Sequence, residues 1–464
     1  MSGLFGVVST GDCTEALYYG TDYHSHLGTE VAGLAVLGEF FQHRIHSITN
    51  TQFKSRFADE VKHMSGTGGI GVISDSNTQP FIVSSRIGDF AIVTAGLITN
   101  VDSIAKELLR EGHSFAEVAH GQINPTELVA KIIAGGKNLV DGIERVFDKI
   151  SGSVSMLVLT RDGIFAARDS KGRTPLALGS GGGSWAVASE SCAFPNLGFK
   201  VEKFIAPGEI VQVTAAGPRV AHGPAKVCQI CSFLWIYTGY PASAYEGITV
   251  ESVRERTGAL LANKDRDKVK ADLAAGIPDS GTGHAIGYAM QSGLPYRRPL
   301  VKYTSGYGRS YTPPSQDTRN LVAKMKLIPI RDVIHGKRII LCEDSIVRGT
   351  QLKNLTIQKL WDNGAAEVHM RAACPPLMFP CKYALSTRSV RELAARRAIR
   401  DMEGGDTEDV AAYTDPATKE FADMVEWIRR DLNVTTLAYL TIDEIVEAIG
   451  LPRERLCTHC WLGE

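Results

Sequence analysis

The apolar positions in the first half of the chain form short runs rather than a helical repeat. The runs are rich in β-branched residues and are separated by Gly, Ser and Asn, which is typical of strands joined by turns. They read GLFGVVS (3–9), GGIGVIS (68–74), FAIVTAG (90–96), SVSMLVLT (153–160), SWAVASE (184–190) and GEIVQVT (208–214). Helical spacing appears only near 126–133 and 140–147. From residue 3 to about residue 220, the pattern predicts stacked sheets with helices outside.

From residue 250 onward, helical and strand-like patterns alternate. The predicted elements are a helix at 253–262, a strand before Gly276, a helix after Ser280, a strand at 338–342, a helix from about Gln351 and a strand at 368–371. Such alternation is typical of a doubly wound α/β domain. Ser389 and Glu392 have capping-box spacing and predict the start of a further helix. The stretch 404–406 predicts a surface loop.

Length and composition limit the class of protein. At 464 residues, with 44% apolar and 22% charged side chains, the chain is globular and long enough for two domains. A net charge of -1 gives no reason to expect nucleic acid or an anionic membrane as a partner. We find no run of about eighteen apolar residues and no signal peptide, so the expected location is the cytoplasm. Nine cysteines spread over a long chain favour reduced thiols or metal ligands over a disulfide framework.

One stretch carries candidate chemistry. RIILC (338–342) predicts a buried strand, which runs directly into Glu343 and Asp344 and then into a turn at 345–350. At the carboxyl end of a parallel strand, carboxylates can hold ribose hydroxyls or Mg²⁺, and a turn that leads into a helix can bind phosphate. Gly349 would let the backbone approach a phosphate closely. The alternative is a solvated acidic turn with no ligand.

The run CEDSIVRGTQ (342–351) resembles the phosphoribosyl pyrophosphate (PRPP) loop of the glutamine PRPP amidotransferase family, which carries out the first committed step of purine synthesis. The resemblance covers the whole chain. It extends to GIPDSG (276–281), GRSYTPPSQDTR (308–319), MKLIPIRDVIHGKR (325–338), GAAEVHMRAACPPLMFPC (364–381) and CTHCWLG (457–463). It implies an Ntn-hydrolase-type αββα sandwich of the glutaminase kind at 1–230. A type I phosphoribosyltransferase domain with a cysteine-bearing C-terminal extension would follow at 231–464.

The resemblance also implies a PRPP site. Glu343 and Asp344 would be the acidic pair at the ribose and Mg²⁺, although the family usually has two Asp residues. The 5-phosphate would be held by Ser345, Val347, Arg348, Gly349 and Thr350. A flexible loop and basic positions would close over pyrophosphate and supply catalysis, and they correspond to Lys302, Arg309, Gln316, Arg319 and Lys326. Between Lys302 and Arg309 this chain is one residue longer than the family's usual spacing.

The iron–sulfur branch of the family has four cysteines that match positions in this chain. Cys457 and Cys460 form a CxxC motif, and Cys231 and Cys381 complete the set. The resemblance implies a [4Fe–4S] cluster. Zinc and unligated thiols stay open as alternatives, and Cys228 forms a second CxxC with Cys231. The other four thiols are expected to be small buried side chains, at Cys13, Cys192, Cys342 and Cys374.

The glutaminase positions depart from the family. Where the family exposes an N-terminal Cys, this chain has Ser2. The family's HRGQE segment is HLGTE here, so Leu27 replaces the Arg that clamps glutamine's carboxylate, and the RYAT segment is replaced around 73–77. The oxyanion segment HNGN reads TAGL, with Ala95 and Gly96 at its centre. A lost oxyanion donor costs ~3 kcal/mol. We therefore expect a retained scaffold without glutaminase activity.

Three functional hypotheses follow. The first is transfer of phosphoribosyl from Mg²⁺–PRPP to ammonia or another small amine, without glutamine hydrolysis. The second is a non-catalytic protein that binds PRPP or a nucleotide and regulates an active relative. The third is a phosphoribosyltransferase for a different nucleophile. The resemblance further implies a homodimer or homotetramer.

Overall fold

The computed structural model describes residues 2–75, 77–116, 118–119, 121–303, 326–384 and 389–463. The described residues fall into two compact units. Unit 1 lies within Met1–Cys231, Ala242–Gly247 and Lys382–Leu385, and unit 2 lies within Ser232–Pro241, Ile248–Cys381 and Ser386–Glu464.

Unit 1 is built mainly from antiparallel strands. Its strands are β1 (Gly3–Ser9), β2 (Val31–Leu37), β3 (Phe41–Ser47), β4 (Gly68–Ser74), β5 (Phe81–Ser85), β6 (Gly88–Ile98), β7 (Val118–Ala119), β8 (Gln122–Ile123), β9 (Gly152–Thr160), β10 (Gly163–Ala167), β11 (Ala177–Gly181), β12 (Ser184–Ala188), β13 (Lys200–Phe204), β14 (Ile210–Thr214), β15 (Gly217–His222), β16 (Ile230–Cys231) and β17 (Ala244–Tyr245). Its helices are α1 (Thr14–Asp22), α2 (Phe53–Phe57), α3 (Val101–Arg110), α4 (Pro125–Ala134) and α5 (Leu139–Lys149). Each of the six strand-like runs of the sequence forms a strand, and both predicted helices are present.

Two sheets account for most of unit 1. The first has the order β13-β11-β12-β1-β4-β2-β3, and the second has the order β15-β14-β10-β9-β6-β5. Leu4 and Ile70 of the first sheet share an apolar core with Val93 and Leu157 of the second. The outer face of the first sheet packs on α1 and α2, and that of the second packs on α3, α4 and α5. Because both faces of β1 are covered, its residues form a continuous apolar run.

Unit 2 is organised around a parallel sheet. Its strands are β18 (Ile248–Thr249), β19 (Leu273–Gly276), β20 (Leu300–Lys302), β21 (Leu327–Pro329), β22 (Arg338–Glu343), β23 (Glu367–Ala372), β24 (Thr436–Tyr439) and β25 (Leu456–Cys457). Its helices are α6 (Val250–Asp265), α7 (Thr282–Ser292), α8 (Arg331–Ile334), α9 (Gln358–Asp362), α10 (Ala394–Glu403), α11 (Ala411–Thr414), α12 (Lys419–Leu432), α13 (Ile442–Ile449) and α14 (His459–Leu462). The parallel order is β19-β22-β23-β24, which places β22 in the interior of the sheet.

One local prediction in unit 2 needs correction. Ser389 makes no capping hydrogen bond, and 390–392 forms only a 3₁₀ turn before α10 begins at Ala394. The Glu392 carboxylate instead pairs with Arg348 at 2.7 Å. The helix expected from Gln351 begins as a π-helical turn at Leu352–Ile357 and continues into α9. Among the described residues, we find no helix long and apolar enough to cross a membrane.

Candidate functional site

The carboxyl end of β22 carries a buried acidic pair. Glu343 is the last residue of the strand and is 9% exposed, and Asp344 follows it and is 3% exposed. The Ser280 hydroxyl donates to Glu343 Oε1 at 2.6 Å, and the Ser345 hydroxyl donates to Asp344 Oδ1. No donor from the described residues reaches the buried Oε2 atom of Glu343. This leaves a carboxylate oxygen available for a ligand.

Burial raises the pKa of Glu343 well above its usual value, and the adjacent Asp344 carboxylate raises it further. The Ser280 hydroxyl acts in the opposite direction but does not offset them. A proton on Glu343, or a cation beside it, would relieve this repulsion. Two carboxylates completed by substrate phosphates are a common Mg²⁺ environment, so the pair fits Mg²⁺.

The loop at 276–281 packs directly against the end of β22. A Cβ atom on Gly281 would lie 2.1 Å from the Cys342 carbonyl oxygen, and one on Gly276 would lie 2.3 Å from the Gly281 oxygen. The Ile277 N–H donates to the same Cys342 oxygen at 3.0 Å. Glycine is therefore required for this close approach, and the approach brings Ser280 to Glu343.

A cavity of about 230 Å³ opens beside Glu343. It brings together five of the residues assigned to PRPP from the sequence, which are Lys326, Glu343, Ser345, Val347 and Gly349. Gly349 has φ +76°, a conformation that favours glycine. Apolar side chains make up much of the remaining lining, which comprises Ile277, Leu327, Ile346, Gln351, Leu352, Leu355 and Thr356.

Other residues assigned to PRPP lie outside this lining, and the buried Asp344 is one of them. The Arg348 guanidinium pairs with Glu392, and Thr350 is exposed. Lys302 Nζ pairs with Asp279 at 2.8 Å. Three further positions lie outside the described residues, namely Arg309, Gln316 and Arg319. Ser280 was not among the residues predicted from the sequence, although the GIPDSG segment (276–281) was a signal for it.

The cysteines fall into two groups. Cys13, Cys192, Cys342 and Cys374 are buried as expected, and burial raises the pKa of the Cys13 and Cys192 thiols to about 12. The remaining cysteines include three candidate ligands in unit 2, Cys381, Cys457 and Cys460.

Within unit 2, the C-terminal CxxC segment packs on the segment before Cys381. Backbone N–H groups of Met378 and Phe379 donate to the Cys460 oxygen at 3.0 and 3.1 Å. Nowhere in the described ranges do three or more His, Cys, Asp or Glu side chains form a group that could hold a metal. The described side chains therefore form no assembled metal site, and the [4Fe–4S] cluster implied by the resemblance stays a prediction.

The four positions that depart from the glutaminase pattern lie in the sheets of unit 1 or beside them. A Cβ atom on Gly3 would lie 2.9 Å from Leu27 Cδ1, so the buried Leu27 side chain lies against the backbone of Gly3, the residue after Ser2. Ala95 and Gly96 belong to β6, and Ala95 is 2% exposed.

The Ser2 hydroxyl joins a chain of neutral polar groups. It donates to Ser74 Oγ at 3.3 Å, and Gln79 Nε2 lies 3.5 Å from the same oxygen. Gln79 then pairs with the backbone of Thr94, which precedes Ala95, through both ends of its amide. These contacts supply no charged group to Ser2.

An ionised carboxylate fixes the segment before Leu27. Glu190 is buried, and burial alone would raise its pKa, but His26 at 3.0 Å and the Ser243 hydroxyl at 2.8 Å lower the pKa to about 2. The Tyr245 hydroxyl also donates to Glu190, at 2.9 Å. These contacts hold His26, the residue before Leu27, against a buried carboxylate.

The comparisons with known proteins agree with this geometry. A family model described as a glutamine amidotransferase domain matches residues 69–196. The amidophosphoribosyltransferase of Methanocaldococcus jannaschii is 31% identical over 100% of this chain and 97% of its own length. The chain belongs to the amidophosphoribosyltransferase family.

Two solved structures share the whole architecture. One is the glutamine PRPP amidotransferase of B. subtilis complexed with ADP and GMP, with a TM-score of 0.84, 29% identity and coverage of 100% of this chain and 96% of that one. The other is described as the allosteric regulatory enzyme of purine biosynthesis, with a TM-score of 0.84, 28% identity and coverage of 100% and 95%. This amidophosphoribosyltransferase homologue therefore combines an N-terminal Ntn-type glutamine amidotransferase fold with a phosphoribosyltransferase fold.

Proposed function

We propose that this family member binds Mg²⁺–PRPP and transfers its phosphoribosyl group to ammonia or another small amine, without hydrolysing glutamine. One observation carries the proposal. Glu343 and Asp344 form a buried acidic pair at the end of an interior parallel strand, and Glu343 lines a cavity together with Gly349 and other residues of its turn. Ligands of open parallel sheets bind at this kind of position.

In this proposal the amine nitrogen attacks the anomeric carbon of PRPP. The carbon–oxygen bond to pyrophosphate breaks, pyrophosphate leaves with the electron pair, and the amine releases a proton to solvent. Bound Mg²⁺ would neutralise part of the pyrophosphate charge. Glu343 and Asp344 would hold the ribose hydroxyls and the metal, and the turn at 345–350 would hold the 5-phosphate.

The remaining assignments rest on the resemblance. Lys326 lines the cavity and would approach pyrophosphate. Lys302, Arg309, Gln316 and Arg319 would close over PRPP and stabilise the leaving charge, since donors placed in advance are the main source of catalysis in such reactions. No covalent nucleophile is needed, because positioning can supply much of the rate.

The loss of glutamine hydrolysis is proposed from unit 1. Ser2 has only a neutral partner among its described contacts, Leu27 carries no cation, and Ala95 offers no side-chain donor. Removing one oxyanion donor alone costs ~3 kcal/mol of transition-state stabilisation. Ammonia would then have to come from solution or from another protein.

Two further properties come from the resemblance alone. We propose self-association into a homodimer or homotetramer, which analytical ultracentrifugation would test. We also propose that Cys231, Cys381, Cys457 and Cys460 take up a [4Fe–4S] cluster. Iron and sulfide analysis of anaerobically purified protein would test the cluster, and zinc or no metal would refute it.

The decisive experiment measures pyrophosphate release from PRPP and Mg²⁺ with buffer, glutamine or ammonium salt at raised pH. Release with ammonium alone would support the proposal, and release with glutamine would refute the loss of glutaminase. The variant D344N should abolish release, whereas G405A, in an exposed loop with nothing close to the added Cβ, should not alter it. PRPP binding without turnover would instead support the regulatory alternative.

A further inference from the structure

The turn at 345–350, called the phosphate turn below, is held from behind by three bonds to successive carbonyls. The Val347 oxygen accepts from the Ala394 N–H at 2.7 Å, and the Gly349 oxygen accepts from the Lys353 N–H at 2.8 Å. Between them, the Arg348 oxygen accepts from Arg397 Nη2 at 2.9 Å. The middle bond is the only one of the three that comes from a side chain.

Because the peptide group is planar, these bonds also fix the direction of the N–H groups on the other side of the turn. In a trans peptide, the C=O and the following N–H point in opposite directions. Carbonyls held against α10 and the following turn therefore direct the N–H groups of Arg348, Gly349 and Thr350 the other way. None of the three donates to an acceptor within the described residues. Successive N–H groups on one side form an anion-binding concavity.

Asp431 of α12 holds the supporting cations in place. Its Oδ2 accepts from Arg397 Nη2 at 3.0 Å, and its Oδ1 pairs with Lys353 Nζ at 3.2 Å. Arg397 is partly buried, and its guanidinium lies over the Trp427 ring, 5.6 Å from the ring centroid. An added Cβ on Gly349 would lie 3.8 Å from Arg397 Nη2, so the guanidinium sits directly behind the turn.

We infer that Arg397, fixed by Asp431, is a positioning residue for recognition of the 5-phosphate group. This inference rests on the proposed function, because it presupposes that the phosphate turn binds the phosphate of PRPP. Arg397 touches no substrate in this arrangement. It orients the Arg348–Gly349 peptide, and hence the Gly349 N–H, before the ligand arrives.

The test separates the two ends of PRPP. Titration calorimetry with Mg²⁺ present would use ribose 5-phosphate as the probe of the phosphate turn and inorganic pyrophosphate as the probe of the opposite end. R397M should weaken ribose 5-phosphate binding about tenfold, the effect of one lost charge-assisted hydrogen bond, and leave pyrophosphate binding unchanged. In turnover, KM for PRPP should rise while kcat changes little.

Matched variants complete the design. R400M removes a cation from the same helix, and no described hydrogen bond or ion pair joins Arg400 to the phosphate turn, so its binding should equal that of the wild type. The affinity of R397K for ribose 5-phosphate should lie between those of R397M and the wild type. A lysine ammonium group can donate to the Arg348 carbonyl or to Asp431, but it orients the peptide less firmly than a guanidinium does. D431N provides a second route, with weaker ribose 5-phosphate binding through loss of the anchor.

The outcomes are distinguishable. Equal affinity of R397M and wild type for ribose 5-phosphate would overturn the inference and leave the proposed function intact. Equal loss of ribose 5-phosphate and pyrophosphate binding would show a general structural role and also overturn it. Failure of the wild type to bind PRPP or ribose 5-phosphate would refute the proposed function, and the inference with it. If R397M does not fold, D431N replaces it in the test. Its affinities for ribose 5-phosphate and for pyrophosphate are then compared with those of the wild type in the same way.

Discussion

At the scale of single residues, Glu343 combines an unfavourable environment with a position at the candidate ligand site. Its carboxyl group is buried next to Asp344, and the one described hydroxyl that donates to it comes from Ser280. Burial and the neighbouring charge raise its pKa. Strain of this kind is common where a ligand later supplies the missing charge.

The raised pKa predicts a pH-dependent effect on stability. Between the ordinary Glu pKa and the raised value, the folded protein binds more protons than the unfolded chain, so the free energy of unfolding falls as pH rises. E343Q removes this dependence. Calorimetric melting should show E343Q more stable than wild type by about 1–3 kcal/mol near pH 7, with the difference closing near pH 4.

The same substitution should impair function. E343Q keeps the size of the side chain but removes a negative charge from the proposed metal and ribose site, so Mg²⁺–PRPP binding should weaken. A stable E343Q that binds PRPP as the wild type does would contradict the proposed role of Glu343. A destabilised E343Q near pH 7 would show that the carboxylate is better satisfied than its contacts indicate.

At the scale of elements, the loop 276–281 and strand β22 act together. The Gly281 Cα faces the Cys342 carbonyl so closely that a Cβ atom would lie 2.1 Å from it. Backbone neighbours cannot swing aside as the end of a long side chain can, so a larger residue must move the loop. The position of Ser280, and its bond to Glu343, depends on this glycine.

Substitution of Gly281 should therefore affect both stability and binding. We expect G281A to lose about 1–3 kcal/mol in denaturant unfolding, as overpacked sites do, and to raise KM for PRPP. The control G405A adds a Cβ at an exposed position with nothing within 4 Å and should change neither quantity. Unchanged KM in G281A would show that the Ser280 contact is dispensable.

Helix capping provides a second test at this scale. Thr441 and Glu444 form a complete capping box at the start of α13, and the Thr441 hydroxyl accepts from the Glu444 N–H at 3.3 Å. T441A should lose about 1 kcal/mol in urea unfolding. S389A alters a position with the same spacing but no capping bond, so its midpoint should match the wild type. Equal losses in the two variants would contradict the structural assignment.

These elements show what the sequence could predict and where it stopped. The strand of β22, its acidic end and the following turn were predictable, because apolar run, carboxylates and glycine lie next to one another in the chain. Ser280 and Asp431 were not assigned, because their roles depend on contacts with residues 63 and 78 positions away. The capping box predicted from the spacing of Ser389 and Glu392 is wrong, because Glu392 pairs with Arg348 instead.

At the scale of the whole molecule, the candidate PRPP cavity and the candidate glutamine site lie in different units. Every described residue that lines the candidate PRPP cavity belongs to unit 2, so the proposed transfer needs no side chain of unit 1 at that cavity. Unit 1 keeps two sheets and a buried, ionised Glu190, while the described hydrogen bond of the Ser2 side chain goes to a neutral hydroxyl. In the proposed function, fold and glutamine chemistry have thus separated within one domain.

This separation predicts that a thiol alone will not restore glutamine use. The test variant is S2C, with removal of Met1 verified by mass spectrometry. In S2C, Leu27 would still supply no cation for glutamine's carboxylate, and Ala95 would still supply no donor for the oxyanion. A missing oxyanion donor alone costs ~3 kcal/mol of transition-state stabilisation. Glutamate formation from glutamine should stay at background, and pyrophosphate release with ammonium should equal that of the wild type.

The triple variant S2C/L27R/A95N is the informative comparison, because only it restores all three groups at once. Glutamate formation in S2C alone would mean that unit 1 holds glutamine through contacts other than these. Glutamate formation in the triple variant alone would show that the thiol, the carboxylate clamp and the oxyanion donor act as one unit. Loss of any one of these groups would then remove selection for keeping the other two.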